Sequence, residues 1–246
     1  MMTFKWTVLF FATASPVIHV LLFGVSLGIL VNSSHGSSVL VGADYMAFVG
    51  PGLVVMAACE IATEEALYLT ALGLRWNPTF FAMNSSPLSP AEIVTGIQIF
   101  IALRTTISCA SYVLILSLFG CFENVHAAVA TLLAAILTGF AFAMPLMAYV
   151  ATIEREKQQI TIIRRLIVLP LTLFSGTIYP LSILPPYLQW PGWISPLWHG
   201  TQLARTPSFH SSEQMWLEHL HWIYLLTLFL LATLTTVKLF RKSLNK

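Results

Sequence analysis

Charge is scarce in this sequence: only 9% of its 246 residues are Asp, Glu, Lys or Arg, against about 25% in an ordinary soluble domain. Twelve basic and ten acidic side chains cannot clothe a folded chain of this size, so water is excluded as the solvent for most of its surface. A net charge of +2 excludes a basic field for nucleic acid and an acidic tail. Cysteine is equally thin. Cys59, Cys109 and Cys121 are odd in number and show no C-x-x-C spacing, which leaves no disulfide framework or zinc site and reads as three small buried apolar residues. There is no G-x-x-x-x-G-K-[ST] loop, so no ATP is held by a P-loop in this chain, and no G-x-S-x-G or H-E-x-x-H hydrolase signature. His219-Trp-His221, with His199 or His210, invites a metal reading, but residues i and i+2 do not share a helix face and no carboxylate completes a ligand set. No catalytic, cofactor-binding or metal-ligating residue is therefore predicted. Nor is there a long internal repeat of the kind that builds inverted-repeat carriers, or a lipidation or organelle-targeting motif.

What the chain has in abundance is apolar residues, 57% of the total. A helix needs about 20 of them to cross some 30 Å of hydrocarbon, and that ruler predicts an all-α polytopic membrane protein, a single transmembrane domain over residues 1–246. Its six spans lie near Trp6 to Leu30, Tyr45 to Ala66, Ile93 to Phe119, Val125 to Val150, Leu166 to Tyr179 and beyond, and His221 to Val237. Ala12-Thr13-Ala14 imitates a signal-peptide cleavage site. The apolar run before it is too short for an h-region and apolar sequence continues to Val31, so the first segment is expected to stay as an anchor. Lys5, Arg75, Arg155, Lys157, Arg164, Arg165, Lys238, Arg241, Lys242 and Lys246 fall on one side of a six-span chain and Arg205 on the other. Short cytoplasmic loops are rich in Lys and Arg, so both termini are expected in the cytoplasm of a plasma or bacterial inner membrane.

Four segments carry more. The second span opens with Gly50-Pro51-Gly52, which predicts a kink whose freed carbonyls neighbouring helices must satisfy, unless the proline simply occupies a first turn. Further along, Glu60 lies within the membrane while Glu64 and Glu65 reach its edge. Arg104, inside the third span, is expected to pair with Glu60, as a structural clamp or along a pathway. The stretch from Leu67 to Glu92 is too polar to cross and too apolar to float. It reads as a short interfacial helix that docks something cytoplasmic or as a passive surface loop, with Ser89 and Glu92 at capping-box spacing. Between Pro180 and Pro196 five prolines exclude one continuous helix. With Trp190, Trp193 and Trp198 there, a re-entrant outer hairpin is predicted, made by Pro180, Pro185, Pro186, Trp190, Trp193, Pro196 and His199. Gly24 and Gly28 form a GxxxG pattern, suited to packing within one subunit or between two.

These pieces have a family look. PVIHVLLFGVSLGILV from Pro16, YMAFVGPGLVVMA from Tyr45, LRWNPTFFAMNSSPLSPAEIVTG from Leu74 and LPLTLFSGTIYPLSILPPYLQWPGWISPLWHGTQLAR from Leu169 together resemble the ABC type-2 transporter permeases over nearly the full length. The likeness is to the branch of nodulation-factor, daunorubicin-type drug and polysaccharide exporters. It implies a six-helix permease subunit that dimerises, with itself or a paralogue, on two copies of a separate ATP-binding subunit, so that ATP is a cofactor of the partner alone. It also implies a coupling helix within Leu67 to Glu92, with Leu74, Arg75, Trp76, Ser86, Pro87 and Leu88 as the ATPase contact, and an outer hairpin shielding the exit. One departure stands out: relatives usually carry a basic amphipathic helix before the first span, where this chain has only Met1 to Lys5. The same helices would also serve an ATP-independent channel or carrier, or a non-transporting assembly subunit.

Overall fold

The structure, a computed structural model, describes residues 45–153, 158–209 and 215–245, with residues 18 and 22 standing alone. The expected first span, its Gly24 and Gly28, and Arg155, Lys157 and His210 lie outside the described residues.

Within them every regular element is a helix or helical turn. Helix α1 (Tyr45–Ala71) runs on as a π turn (Leu72–Trp76), and short α2 (Thr79–Asn84) leads to α3 (Pro90–Leu118) and α4 (Val125–Thr152). Next come α5 (Gln159–Ile163), a second π turn (Arg164–Val168) and α6 (Leu169–Leu173), one unbroken rod. A 3-10 turn (Leu181–Ile183), α7 (Pro186–Ile194), α8 (Pro196–Phe209) and α9 (Met215–Leu244) complete the order. Four stretches are long and apolar enough to cross a bilayer, Ala47–Trp76, Pro90–Leu118, Val125–Thr152 and Trp216–Leu244. They correspond to the second, third, fourth and sixth expected spans, each running somewhat further. The protein is a multi-pass α-helical membrane protein.

The fifth expected span differs. Its helix starts earlier, at Gln159, and stops at Leu173, so at 1.5 Å per residue the rod is only about 22 Å long. Gly176, at φ 69°, supplies the left-handed backbone on which a chain turns away from a helix end, and Pro180 follows. Residues predicted to continue the span, Ser175 to Tyr179, are non-helical.

Helix α4 is the hub. It packs along α1 most extensively and also against α9, α8 and α3. Its buried face is built from small residues, among them Ala127, Ala134, Ala135, Gly139, Ala141, Ala143 and Ala151. In lipid, where hydrophobicity does not drive helices together, small side chains let backbones approach and gain dispersion contacts. Helices α3 and α9 are peripheral. Ile99, Leu103, Ile107, Leu114 and Leu118 on α3 and Ile223, Leu230, Leu231 and Leu234 on α9 are exposed, apolar faces that suit hydrocarbon and not water.

Candidate functional site

The segment joining α1 to α3 forms an elbow, and its shape begins at one glycine. A Cβ on Gly73 would lie 2.3 Å from the Phe80 ring, so only glycine lets α2 fold back onto the π turn. Phe80 then meets Phe240 of α9 with ring centroids 6.1 Å apart. Leu74 is 2% exposed: it anchors the elbow from inside and offers no surface to a partner. Arg75 also turns inward, donating through Nη2 to the Ala151 carbonyl at 3.4 Å and the Ser243 hydroxyl at 3.3 Å, at the ends of α4 and α9. The capping box closes the segment, with Ser89 N donating to Glu92 Oε2 at 2.6 Å and Glu92 N to Ser89 Oγ at 3.3 Å. What faces outward is Leu72, Trp76, Met83 and Leu88, all exposed, with Ser86 and Pro87 beside them. The sequence-predicted contact set therefore divides into two anchors, Leu74 and Arg75, and four exposed residues, Trp76, Ser86, Pro87 and Leu88. A groove of about 330 Å³ runs beneath, lined mainly by Phe80, Met83, Leu88, Ile93, Ile97 and Phe100.

Just above the elbow the charges pair differently from the sequence expectation. Arg104 bonds Glu65, not Glu60. Consecutive residues of a helix point about 100° apart, and it is Glu65 whose azimuth meets α3, whereas Glu60 lies on an exposed face of α1. Glu64, next to Glu65, bonds Arg164 at the start of the second π turn.

At the opposite end of α1 the key residue is Arg205 of α8, only 5% exposed. Its Nε donates to the Phe48 carbonyl at 3.0 Å, and Nη2 to the carbonyls of Thr177 at 2.6 Å and Gly176 at 3.2 Å. The guanidinium carbon stands 3.6 Å from the centre of the Phe48 ring, within cation–π range. Tyr45 adds a hydroxyl bond to the Ile178 carbonyl at 3.1 Å. Pro51 lies inside α1 and not in its first turn, and Phe48, one of the carbonyls nearby, takes its extra donor from Arg205.

The prolines cut the chain beyond into the 3-10 turn and α7 and α8, with Pro186 and Pro196 as the first residues of the two helices, where a missing N–H is harmless. Pro185, Pro186, Trp190 and Trp193 are exposed, Pro180 is half-buried, and Pro196 and His199 are buried. His199 Nε2 donates to the Trp193 carbonyl at 3.0 Å, which leaves Nδ1 to accept from His221 Nδ1 at 2.7 Å. Burial, and His221 beside it, push the His199 imidazole down to about 4, against the opposing effect of the Trp193 carbonyl. His199 and His221 are thus joined to each other. Among the described residues no cluster of three His, Cys, Asp or Glu side chains is placed to hold a metal ion.

The family described as ABC-2 type transporter matches residues 2–209, most of the chain. The chain belongs to this family. As an ABC-2 family member with four described helices of bilayer-spanning length, it is a membrane permease. Nodulation protein J of Neorhizobium galegae is 26% identical over 192 residues, 78% of this chain and 70% of that protein. Nodulation protein J of Rhizobium meliloti (strain 1021) is 27% identical over the same shares. The inner membrane transport permease YadH of Escherichia coli (strain K12) is 24% identical over 182 residues, 74% of this chain and 69% of its own. No solved structure matches.

The sequence of this ABC-2 permease gave no reading of Arg205 as a clasp and, once the metal reading was set aside, no role for His199 and His221 as a pair. A signal for Arg205 was present: a lone cation among apolar residues of the Pro-rich end must either reach water or find backbone carbonyls. For the joined histidines, 22 residues apart in different helices, no local signal exists.

Proposed function

We propose that the chain is the permease subunit of an ATP-driven exporter of the nodulation-factor and daunorubicin-type branch. A drug, lipid-linked or glycan-type substrate would move outward across a plasma or bacterial inner membrane. In this reading residues 1–246 are one domain of six spanning helices, the basic ends and both termini are cytoplasmic, and two copies, or this chain and a paralogue, sit on a separate ATPase. The stretch from Pro180 to His199 forms the outer hairpin over the exit.

The observation that carries the reading is the elbow. It presents Leu72, Trp76, Met83 and Leu88 outward while Gly73 lets it fold onto Phe80, Leu74 is buried and Arg75 ties it to the ends of α4 and α9. A partner that moves this segment moves the bundle, which is what coupling of a remote ATPase requires. Tryptophan and methionine, exposed here at Trp76 and Met83, are also residue types enriched at docking interfaces.

The test is purification of the tagged permease in mild detergent from its own cells, with identification and ATPase assay of what accompanies it. Wild type should bring down a P-loop ATPase. Trp76→Ala with Leu88→Ala should lose it while keeping the wild-type melting temperature. A folded wild-type permease that carries no ATPase, and conducts or transports without nucleotide, would replace this reading with a channel or carrier.

A further inference from the structure

Among the described residues, the lower half of α1 and the π turn that continues it are joined by polar bonds to α3, α4, α9 and the α5–α6 rod. Arg75 reaches α4 and α9, Glu65 reaches Arg104 near the middle of α3, and Glu64 reaches Arg164 in the α5–α6 rod. The two carboxylates are consecutive, so their roughly 100° separation sends one to each side of α1. Both pairs stand within about two helical turns of Leu72, where the elbow begins.

Stability alone does not account for both pairs. Arg164 and Glu64, at the membrane edge, are 44% and 46% exposed, and an ion pair open to water contributes little to stability; Arg104 is 49% exposed and its partner Glu65 14%. Arg104 also stands among Phe100, Leu103 and Ile107, the exposed apolar face of α3, where a charge in a membrane-spanning segment is costly. What two such bridges do well is fix axial register: an axial slip of α1 by one turn, about 5.4 Å, would part both pairs.

We propose that Glu64 and Glu65 are positioning residues for transport, which oblige α3 and the α5–α6 rod to move with α1 when the elbow is displaced. The proposal rests on the ATP-coupled reading above. It assigns the neighbouring carboxylates a mechanical role: Glu65–Arg104 transmits the stroke to one side of α1 and Glu64–Arg164 to the other.

The experiment uses the permease–ATPase complex in liposomes, measuring nucleotide KM, ATPase kcat and melting temperature. Glu65→Gln, Arg104→Gln and Glu64→Gln are expected to lower kcat about tenfold, equivalent to about 1.4 kcal/mol, at unchanged KM and unchanged subunit ratio. The exchanged pairs Glu65→Arg with Arg104→Glu, and Glu64→Arg with Arg164→Glu, should restore most of the rate. A merely structural role would shift melting and leave the kcat of assembled complex untouched. Wild-type kcat in the assembled Gln variants, or an exchanged pair that assembles and stays slow, would overturn the proposal. A wild-type permease that recruits no ATPase would instead overturn the transporter reading, a separate failure.

Discussion

Replacing Arg205 by alanine should loosen the Pro-rich end of the molecule more than any other single polar substitution described here. The guanidinium serves three backbone carbonyls, those of Phe48, Gly176 and Thr177, and is 5% exposed. Hydrogen bonds from a charged group contribute about 1.5–3 kcal/mol each net of desolvation, so three acceptors give roughly 4–5 kcal/mol at the lower end of that range. Arg205→Lys keeps the charge but not the planar fork; its ammonium can serve one or two of the acceptors and should cost about half as much. At about 2–4 °C per kcal/mol for a chain of this size, Arg205→Ala should melt on the order of 10 °C below wild type and Arg205→Lys on the order of 5 °C below. The molecule supplies its own reporter, because Cys59, Cys109 and Cys121 are all buried and a thiol-reactive dye gains access only as the bundle opens. An alanine variant melting within about 2 °C of wild type, less than one such hydrogen bond, would refute the clasp. So would lysine and alanine variants that melt alike.

Three other outcomes follow from the same geometry. His199 has its proton affinity lowered from the ordinary 6.5 to about 4, so between these values the unfolded chain binds more protons than the folded one. Stability should then fall as pH drops through that window, by at most about 1.4 kcal/mol per pH unit, and melting of His199→Gln should be flatter over the same range. Gly73→Leu would drive its side chain into the Phe80 ring; overpacking of this kind costs about 1–3 kcal/mol, and the ATPase recovered per folded permease should fall with it. Ser89→Ala removes the reciprocal cap of α3 and should cost about 1 kcal/mol. Adding Glu92→Ala should cost less than the sum of the two single changes, since they share one motif.

Much of this protein could be read without its fold. Apolar runs of bilayer length marked the second, third, fourth and sixth spans, because each is a property of some 20 consecutive residues. The capping box at Ser89 and Glu92 and the breaks at Pro180, Pro186 and Pro196 were legible for the same reason: capping and proline chemistry act within four residues of where they stand. The tertiary structure decided the rest. Glu65 rather than Glu60 meets Arg104, although the two carboxylates lie on one helix, because helix rotation sets which azimuth faces a neighbour and each residue along the chain turns that azimuth by about 100°. Leu74 and Arg75 face inward while Trp76 faces out by the same rule, applied across a π turn that no local pattern announced. Arg205 meets Phe48 across 157 positions, and His199 meets His221 across two helices. Spacing fixes a side chain's level in the membrane, but only packing around the small-residue face of α4 fixes which way it points.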